Sequence, residues 1–141
     1  GLPWVVHKAA MTLDGKIAAP GGDARWVSGE ASRRAVHRLR SRVDAVVVGV
    51  GTVLADDPSL TVRLPGRAAG NAPAPWRVVL DSGLRTPPGA RLAGPGTVVL
   101  TTDAAASGAA RAALEARGVR VEALASDGAG RVDVASAARW L

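Results

Sequence analysis

The stretch that most constrains the fold runs from residue 45 to residue 63 and reads AVVVGVGTVLADDPSLTVR. It begins in a nearly unbroken valine run, Asp44 to Gly49, which is typical of a parallel strand covered on both faces. Residues of a different kind follow at once: Gly51, Thr52, Asp56, Asp57, Pro58 and Arg63. Because ligands of open α/β sheets bind at the carboxyl ends of the strands, this change indicates a ligand site.

Strands and helices alternate along the rest of the chain. Periodicity and residue type predict further strands at Pro3–Ala10, 76–81, 96–102 and 119–124, and helices at 30–43, 104–117 and 132–141. Ser28 is a plausible N-cap of the first helix. The alternation predicts an α/β domain. A chain of 141 residues with 48% hydrophobic content is enough for one such domain with its own core.

The composition excludes several classes of function. The chain has no cysteine, which excludes disulfides, thiolate metal sites and cysteine nucleophiles. With only His7 and His37, we expect no bound metal. No apolar run approaches the ~20 residues of a membrane span, and the N-terminus lacks the layout of a signal peptide. We therefore expect a cytoplasmic protein with no membrane partner.

The net charge of +6 is compatible with nucleic-acid binding, but the composition favours a simpler explanation. Of the 18 basic residues only Lys8 and Lys16 are lysine, and the chain is rich in Ala, Gly and Pro, as the codon usage of a GC-rich genome would produce. We expect no nucleic-acid partner; such a partner would bind with an affinity that falls steeply with salt. A basic pocket for a phosphorylated small molecule is equally compatible with the charge.

The glycines after the valine run have two interpretations. Gly49 and Gly51 would let a phosphate or sugar approach the backbone, and the free amides of a helix start attract anions; Thr52 adds a hydroxyl. The same spacing also serves tight packing, and the strict G-x-G-x-x-G pattern fails at Leu54. Trp26, in a glycine-rich loop, either caps the structure locally or stacks on a nucleotide ring.

The charged residues around this strand also leave alternatives open. Asp56 and Asp57 before Pro58 form a good helix stop, or a carboxylate there holds ribose or amide groups by charge-assisted hydrogen bonds. Arg63 either grips a phosphate or lies in solvent. Lys8 interrupts an apolar strand-like segment, which favours a position in a pocket.

Several of these segments together resemble one family. HKAAMTLDGKIA, the loop ending in RWVS, SRRAVHRLRSRVDAVVVGVGTVLADDPSLTVR and WRVVLDS are similar, in this order, to the reductase domain of bacterial riboflavin biosynthesis. That domain is a 5-amino-6-(5-phosphoribosylamino)uracil reductase, usually the C-terminal half of a bifunctional deaminase-reductase. The match covers nearly all of the first 82 residues and is most specific at TVLADDPSLTVR. It implies a dihydrofolate-reductase-like fold, a mixed and mostly parallel sheet flanked by helices, with NADPH as cofactor and a homodimer as assembly.

The resemblance also implies roles for individual residues. The implied NADP contacts are Ala10, Trp26, Thr52, Asp56 and Ser82. The implied contacts to the phosphorylated ribosylaminopyrimidine substrate are Arg40, Leu60 and Arg63, with the two arginines suited to its phosphate. Lys8 matches a pocket lysine, and Lys8 or Asp56 is the candidate proton relay. The implied reaction is hydride transfer to the ribosyl C1′, which opens the sugar to a ribityl chain.

The chain departs from the family pattern at three points. Ala24 stands where the family has a substrate-binding serine, and the zinc-binding deaminase half is missing. The sequence also stops at Leu141, before the strand and glycine-rich turn, beginning Glu-(Ala/Gly)-Gly, that cradle the cofactor phosphates in the family. We therefore expect residues 1–141 to form the front portion of a reductase domain, truncated at its C-terminus. The alternative is a catalytically silent nucleotide-binding or interaction module of the same fold.

Overall fold

The computed structural model describes residues 1–18, 29–64 and 74–141, and in these ranges helices and strands alternate. The elements are α1 (Glu30–Arg40), β1 (Ala45–Gly49), α2 (Val50–Asp56), β2 (Trp76–Leu80), β3 (Thr97–Thr102), α3 (Ala109–Glu115), β4 (Arg120–Leu124) and α4 (Val134–Trp140). The predicted strands from residue 44 onward are confirmed to within one residue. None of these helices is long and apolar enough to cross a membrane.

The four strands form one parallel sheet in the order β1-β2-β3-β4. Val47 of β1 lies opposite Val78 of β2, which in turn lies opposite Val98 of β3. Parallel neighbours need crossover connections, and α3 supplies one between β3 and β4. The prediction of an α/β domain is confirmed.

The valine runs are explained by burial on both faces of the sheet. Successive residues of a strand point to opposite faces. Val78 and Val98 therefore join one core, with Ala137 of α4. Their neighbours Val79 and Val99 join another, which includes residues of α2 and α3. All six residues of β3 are buried, its three threonines included, so the centre of the sheet exposes no polar group to a ligand. Such groups lie at the sheet's ends and in its loops.

The predicted strand Pro3–Ala10 is wrong. This segment forms no regular element, and the side chains of Trp4 and Val5 are 93% and 73% exposed. β-branched residues favour a strand only where a neighbouring edge and a packed face receive them. Among the described residues no strand pairs with this segment, and β1 is an edge strand of the sheet.

Helix α1 differs from its prediction at both ends. The predicted N-cap, Ser28, lies outside the described residues, and Gly29 occupies the N-cap position without a side-chain cap. The helix was expected to reach Val43 but ends at Arg40. Ser41 follows as the C-cap, and its hydroxyl donates to the carbonyl of Arg38 at 2.8 Å, a local bond that competes with the helical pattern.

Helices α3 and α4 begin later than predicted because of their caps. Helix α3 begins after Gly108, whose φ of +84° is a left-handed conformation that few other residues adopt. Helix α4 begins after Asp133, whose carboxylate accepts the N–H of Ser136 at 2.8 Å as an N-cap. Neither the predicted start at 104 nor the predicted start at 132 takes these caps into account.

A buried carboxylate holds the turn after β2. The side chain of Asp81 is fully buried, and its Oδ2 accepts hydrogen bonds from the N–H of Thr86 at 2.6 Å and from the hydroxyl of Thr86 at 2.7 Å. Its Oδ1 has no hydrogen-bond partner in the described part of the chain. The two donors of Thr86 thus account for the carboxylate's bonding, and they fix the turn that contains Ser82.

We expect Thr86→Val to lower the free energy of unfolding by about 1–3 kcal/mol, because a buried carboxylate would lose one of its two donors. Thr86→Ser keeps the donor and loses only a methyl group, about 0.8 kcal/mol. Urea unfolding of the two variants measures the difference. A serine variant less stable than the valine variant would contradict this account of the turn.

Candidate functional site

A polar pocket lies where α2 ends and the chain turns back along α1. It is lined by His37, Arg40, Asp56, Asp57, Pro58, Ser59, Leu60, Thr61, Arg63 and Arg91. The pocket brings together four residues of the predicted site: Arg40, Asp56, Leu60 and Arg63.

Asp57 ends α2 and begins the wall of the pocket. Its φ of 40° is left-handed, a conformation that aspartate tolerates better than most residues, and its N–H donates to the carbonyl of Val53 at 3.0 Å. Its Oδ1 accepts the N–H of Arg91 at 2.8 Å, which attaches the connection between β2 and β3 to this wall. The interpretation of Asp56, Asp57 and Pro58 as a helix stop is confirmed.

Leu60 turns the backbone a second time. Its φ of 51° is also left-handed, which costs a leucine roughly 1–2 kcal/mol. Its side chain is only 5% exposed and packs with Val50 and Val53 of α2. Burying a leucine side chain contributes about 1.5–3 kcal/mol, which offsets the strain. Leu60 therefore lines the pocket as part of a turn that its own side chain anchors in the core.

Two hydrogen bonds attach the segment after this turn to α1. His37 and Arg40 are three residues apart and so share one face of the helix. Arg40 Nη1 donates to the carbonyl of Thr61 at 3.2 Å, and the N–H of Arg63 donates to His37 Nδ1 at 3.1 Å. The helix thereby positions both arginines of the predicted substrate site in one pocket.

The Arg63 guanidinium is held by hydroxyls. Its Nη2 donates to Ser59 Oγ at 2.7 Å and its Nε donates to Thr61 Oγ1 at 3.3 Å. In the described part of the chain, neither Arg63 nor Arg40 forms an ion pair with a carboxylate. Burial, and then the positive charge of Arg63, lower the pKa of Arg40. Asp56 and Asp57 also line the pocket, but in the described ranges neither forms an ion pair with these two arginines. Two guanidinium groups so placed suit an oxyanion such as phosphate.

The surface of α2 beside this pocket is open. A Cβ added at Gly49 or Gly51 would meet nothing within 4 Å, and neither glycine has a positive φ. Among the described residues, neither packing nor backbone conformation requires glycine here, so the tight-packing interpretation is not supported. Thr52 and Asp56 are exposed and lie four residues apart on the same helix face. The backbone here is accessible to a bound molecule, as a nucleotide cofactor requires.

The other predicted site residues lie apart from the pocket or outside the described ranges. Ser82 follows β2, and its Oγ accepts the N–H of Val132 at 3.0 Å, so its hydroxyl already has an internal role. Lys8 and Ala10 belong to the segment without regular structure, and Lys8 is exposed. Trp26, like Ala24, lies outside the described residues.

Sequence reasoning missed four residues of the pocket: His37, Ser59, Thr61 and Arg91. His37 was considered only as a metal ligand, although its spacing of three residues from Arg40 on a predicted helix placed the two on one face. Nothing in the sequence around Arg91 points to the pocket, because its place there depends on the hydrogen bond from its backbone N–H to Asp57 Oδ1. In the described residues no group of three or more His, Asp and Glu side chains could hold a metal ion.

The parallel α/β sheet, the exposed glycines after β1 and the arginine-lined pocket at the end of α2 define an α/β protein with a candidate anion site. Comparison with known proteins gives the family. The chain belongs to the RibD C-terminal domain family, whose model matches residues 3–139.

Similar proteins come from distant organisms. The 2,5-diamino-6-ribosylamino-4(3H)-pyrimidinone 5′-phosphate reductase of Methanothermobacter thermautotrophicus is 55% identical over 86 residues, 61% of this chain and 38% of that protein. The riboflavin biosynthesis protein RibD of Chlamydia muridarum is 43% identical over 123 residues, 86% of this chain and 33% of that protein. The chain thus spans less than two fifths of either relative.

A solved structure extends the likeness to three dimensions. Acinetobacter baumannii RibD superimposes with a TM-score of 0.76 at 32% identity, covering 87% of this chain and 33% of that one. The fold class is therefore confirmed as that of the RibD reductase domains, a dihydrofolate-reductase-like sheet flanked by helices.

Proposed function

We propose that this chain is an NADPH-dependent reductase of riboflavin biosynthesis, which reduces the ribosyl C1′ of 5-amino-6-(5-phosphoribosylamino)uracil to give the ribitylamino product. The observation that carries the proposal is that Arg40 and Arg63 line one pocket and form no ion pair with a carboxylate among the described residues. The helix α2, which ends at this pocket, begins at the exposed glycines Gly49 and Gly51. Family membership and the reductase name of the archaeal relative support the reaction class.

The substrate phosphate is proposed to bind between Arg40 and Arg63. Guanidinium groups match phosphate oxygens in a forked geometry, and such charge-assisted bonds are about twice as strong as neutral ones. The Ser59 and Thr61 hydroxyls already orient the Arg63 guanidinium at 2.7 and 3.3 Å, so little side-chain freedom remains to be lost on binding. Leu60 contributes by shaping the turn that carries these hydroxyls.

The cofactor is proposed to bind along the exposed face of α2. Gly49 and Gly51 let it approach the backbone, while Thr52 and Asp56 offer a hydroxyl and a carboxylate. We propose Ala10, Trp26 and Ser82 as further contacts, on the resemblance alone. Bound NADPH would supply the hydride.

The reaction also needs a proton. As C1′ gains the hydride, the bond from C1′ to the ring oxygen breaks, and that oxygen leaves with the electron pair and must be protonated. Asp56 and Lys8 are the proposed relays. Asp56 has the stronger support, because it lines the pocket that contains both arginines. The protein's remaining contribution is to orient the ribose and to exclude water around it.

By the same resemblance we propose that residues 1–141 belong to a reductase domain that forms a homodimer in the cytoplasm. The second candidate function is a silent nucleotide-binding module. One observation favours it: Ala24 replaces the substrate-binding serine of the family pattern. The two candidates share the binding of NADPH and differ in turnover.

Removing one guanidinium tests the phosphate site. Arg63→Gln should raise KM for the 5′-phosphorylated substrate by about 10- to 100-fold, as expected for the loss of a charged hydrogen bond, and leave KM for the dephosphorylated riboside unchanged. Steady-state NADPH oxidation measures both. Arg117→Gln, an exposed arginine outside the pocket lining, is the matched control. An equal rise for both substrates would place the phosphate elsewhere.

Gly51→Ala separates stability from cofactor binding. Because nothing lies within 4 Å of the added Cβ and the residue is helical, the variant should be more stable by about 0.5–1 kcal/mol. If the cofactor approaches this backbone, the same methyl group should weaken NADPH binding by about tenfold, or about 1.4 kcal/mol.

Thermal unfolding and fluorescence titration give the two readouts. Gly128→Ala, also in open space with no positive φ, should leave NADPH affinity unchanged. Unaltered NADPH binding by the stabilised Gly51 variant would show that the cofactor lies elsewhere.

A further inference from the structure

One side chain of the pocket has no role in the proposed reaction. His37 lies on α1, three residues before Arg40, and is half-buried against the segment after Leu60. Its Nδ1 accepts the backbone N–H of Arg63 at 3.1 Å. The bond joins residues 26 positions apart and is one of two that attach this segment to α1.

The bond requires the neutral imidazole. A ring nitrogen that accepts a hydrogen bond carries no proton, and in the imidazolium both nitrogens are donors. Burial, and then the charges of Arg40 and Arg63, lower the pKa of His37. The other charged groups facing the pocket are Arg91, from the connection between β2 and β3, and Asp56 and Asp57 at the end of α2. The neutral form is therefore the one present near pH 7.

We propose that His37 is a positioning residue for phosphate recognition: its Nδ1 holds the backbone of Arg63 against α1, so that the Arg63 and Arg40 guanidiniums face one anion. His37 acts through Arg63 and does not itself bind the phosphate. The inference rests on the proposed function only in taking the ligand to be a phosphate monoester.

The segment after Leu60 would stay attached to the fold without the hydrogen bond between Arg63 and His37. Arg40 also reaches the segment, through the carbonyl of Thr61 at 3.2 Å, and Leu60 anchors it in the core. The segment therefore keeps two attachments when the bond from Arg63 to His37 is lost. What changes is the direction in which the Arg63 side chain leaves the backbone.

The test uses ribose 5-phosphate and ribose as probes of the full chain. His37→Asn places an amide oxygen at the position of Nδ1 and keeps the acceptor, whereas His37→Leu removes it. Calorimetric titration should show ribose 5-phosphate binding weakened about tenfold in the leucine variant, the upper value of one hydrogen bond. The asparagine variant should bind within about twofold of the wild type. A leucine variant that binds like the wild type, or an asparagine variant that binds like the leucine one, would overturn the proposal.

The pH dependence of stability supplies a second readout. Because folding lowers the pKa of His37 from its ordinary 6.5, the unfolded chain binds more protons below that pH. Above about pH 6.5 the contribution of His37 to the free energy of unfolding is complete. It is lost as the pH falls from about 6.5 toward the pKa that His37 has in the folded chain. When the pH falls from about 7.5 to about 5.5, the wild type should lose more stability than His37→Asn. This interval lies above the pH range in which aspartate side chains ordinarily titrate. Parallel curves for the two proteins would overturn the proposal.

These outcomes do not depend on turnover. If the wild type binds ribose 5-phosphate in a His37-dependent manner and shows no reductase activity, the positioning role holds and the proposed reaction fails. If the wild type reduces its substrate and His37→Leu keeps full affinity for ribose 5-phosphate, the reaction holds and the positioning role fails.

Discussion

The parallel pairing of β1 with β2 is the constraint on which the rest of the structure depends. It aligns Ala45–Gly49 with Trp76–Leu80 in register and brings the carboxyl ends of both strands to one edge of the sheet. The exposed glycines and α2 follow β1 at this edge, and the turn with Ser82 follows β2. The valine-rich strands are covered on both faces at the centre of the sheet, so the polar groups that could meet a ligand lie in the loops.

In the pocket, which Asp56 and Asp57 also line, two arginines are held in place by hydrogen bonds to uncharged groups. Arg40 and Arg63 would repel one another, yet backbone and hydroxyl bonds to Thr61, Ser59 and His37 keep them in one pocket. The left-handed turn at Leu60 reverses the chain, and burial of the leucine side chain offsets its strain. The arginines are thus held in place without a ligand, and the phosphate proposed to bind here would relieve their repulsion.

Much of this could be predicted from the sequence, and the failures have physical causes. The valine strands were predictable because burial on both faces leaves a continuous apolar signal. Arg63 was a candidate because TVLADDPSLTVR resembles a family motif, and Arg40 because SRRAVHRLRSRVD, just before it, resembles the same family. Pro3–Ala10 has strand-like residues, but pairing depends on a neighbour that a local pattern cannot supply. The contributions of His37 and Arg91 to the pocket were missed for a related reason, because both depend on hydrogen bonds between residues far apart in the sequence. His37 Nδ1 accepts the N–H of Arg63, and the N–H of Arg91 donates to Asp57 Oδ1.

The central claim is that the chain transfers hydride to C1′ of a phosphorylated ribosylaminopyrimidine. The most direct measurement supplies NADPH deuterated at the transferring position of its nicotinamide, together with 5-amino-6-(5-phosphoribosylamino)uracil, and follows the pyrimidine by mass spectrometry. The account predicts a ribitylamino product that carries one deuterium at C1′. Binding of NADPH and substrate without any deuterated product would contradict it and favour a silent module of the same fold.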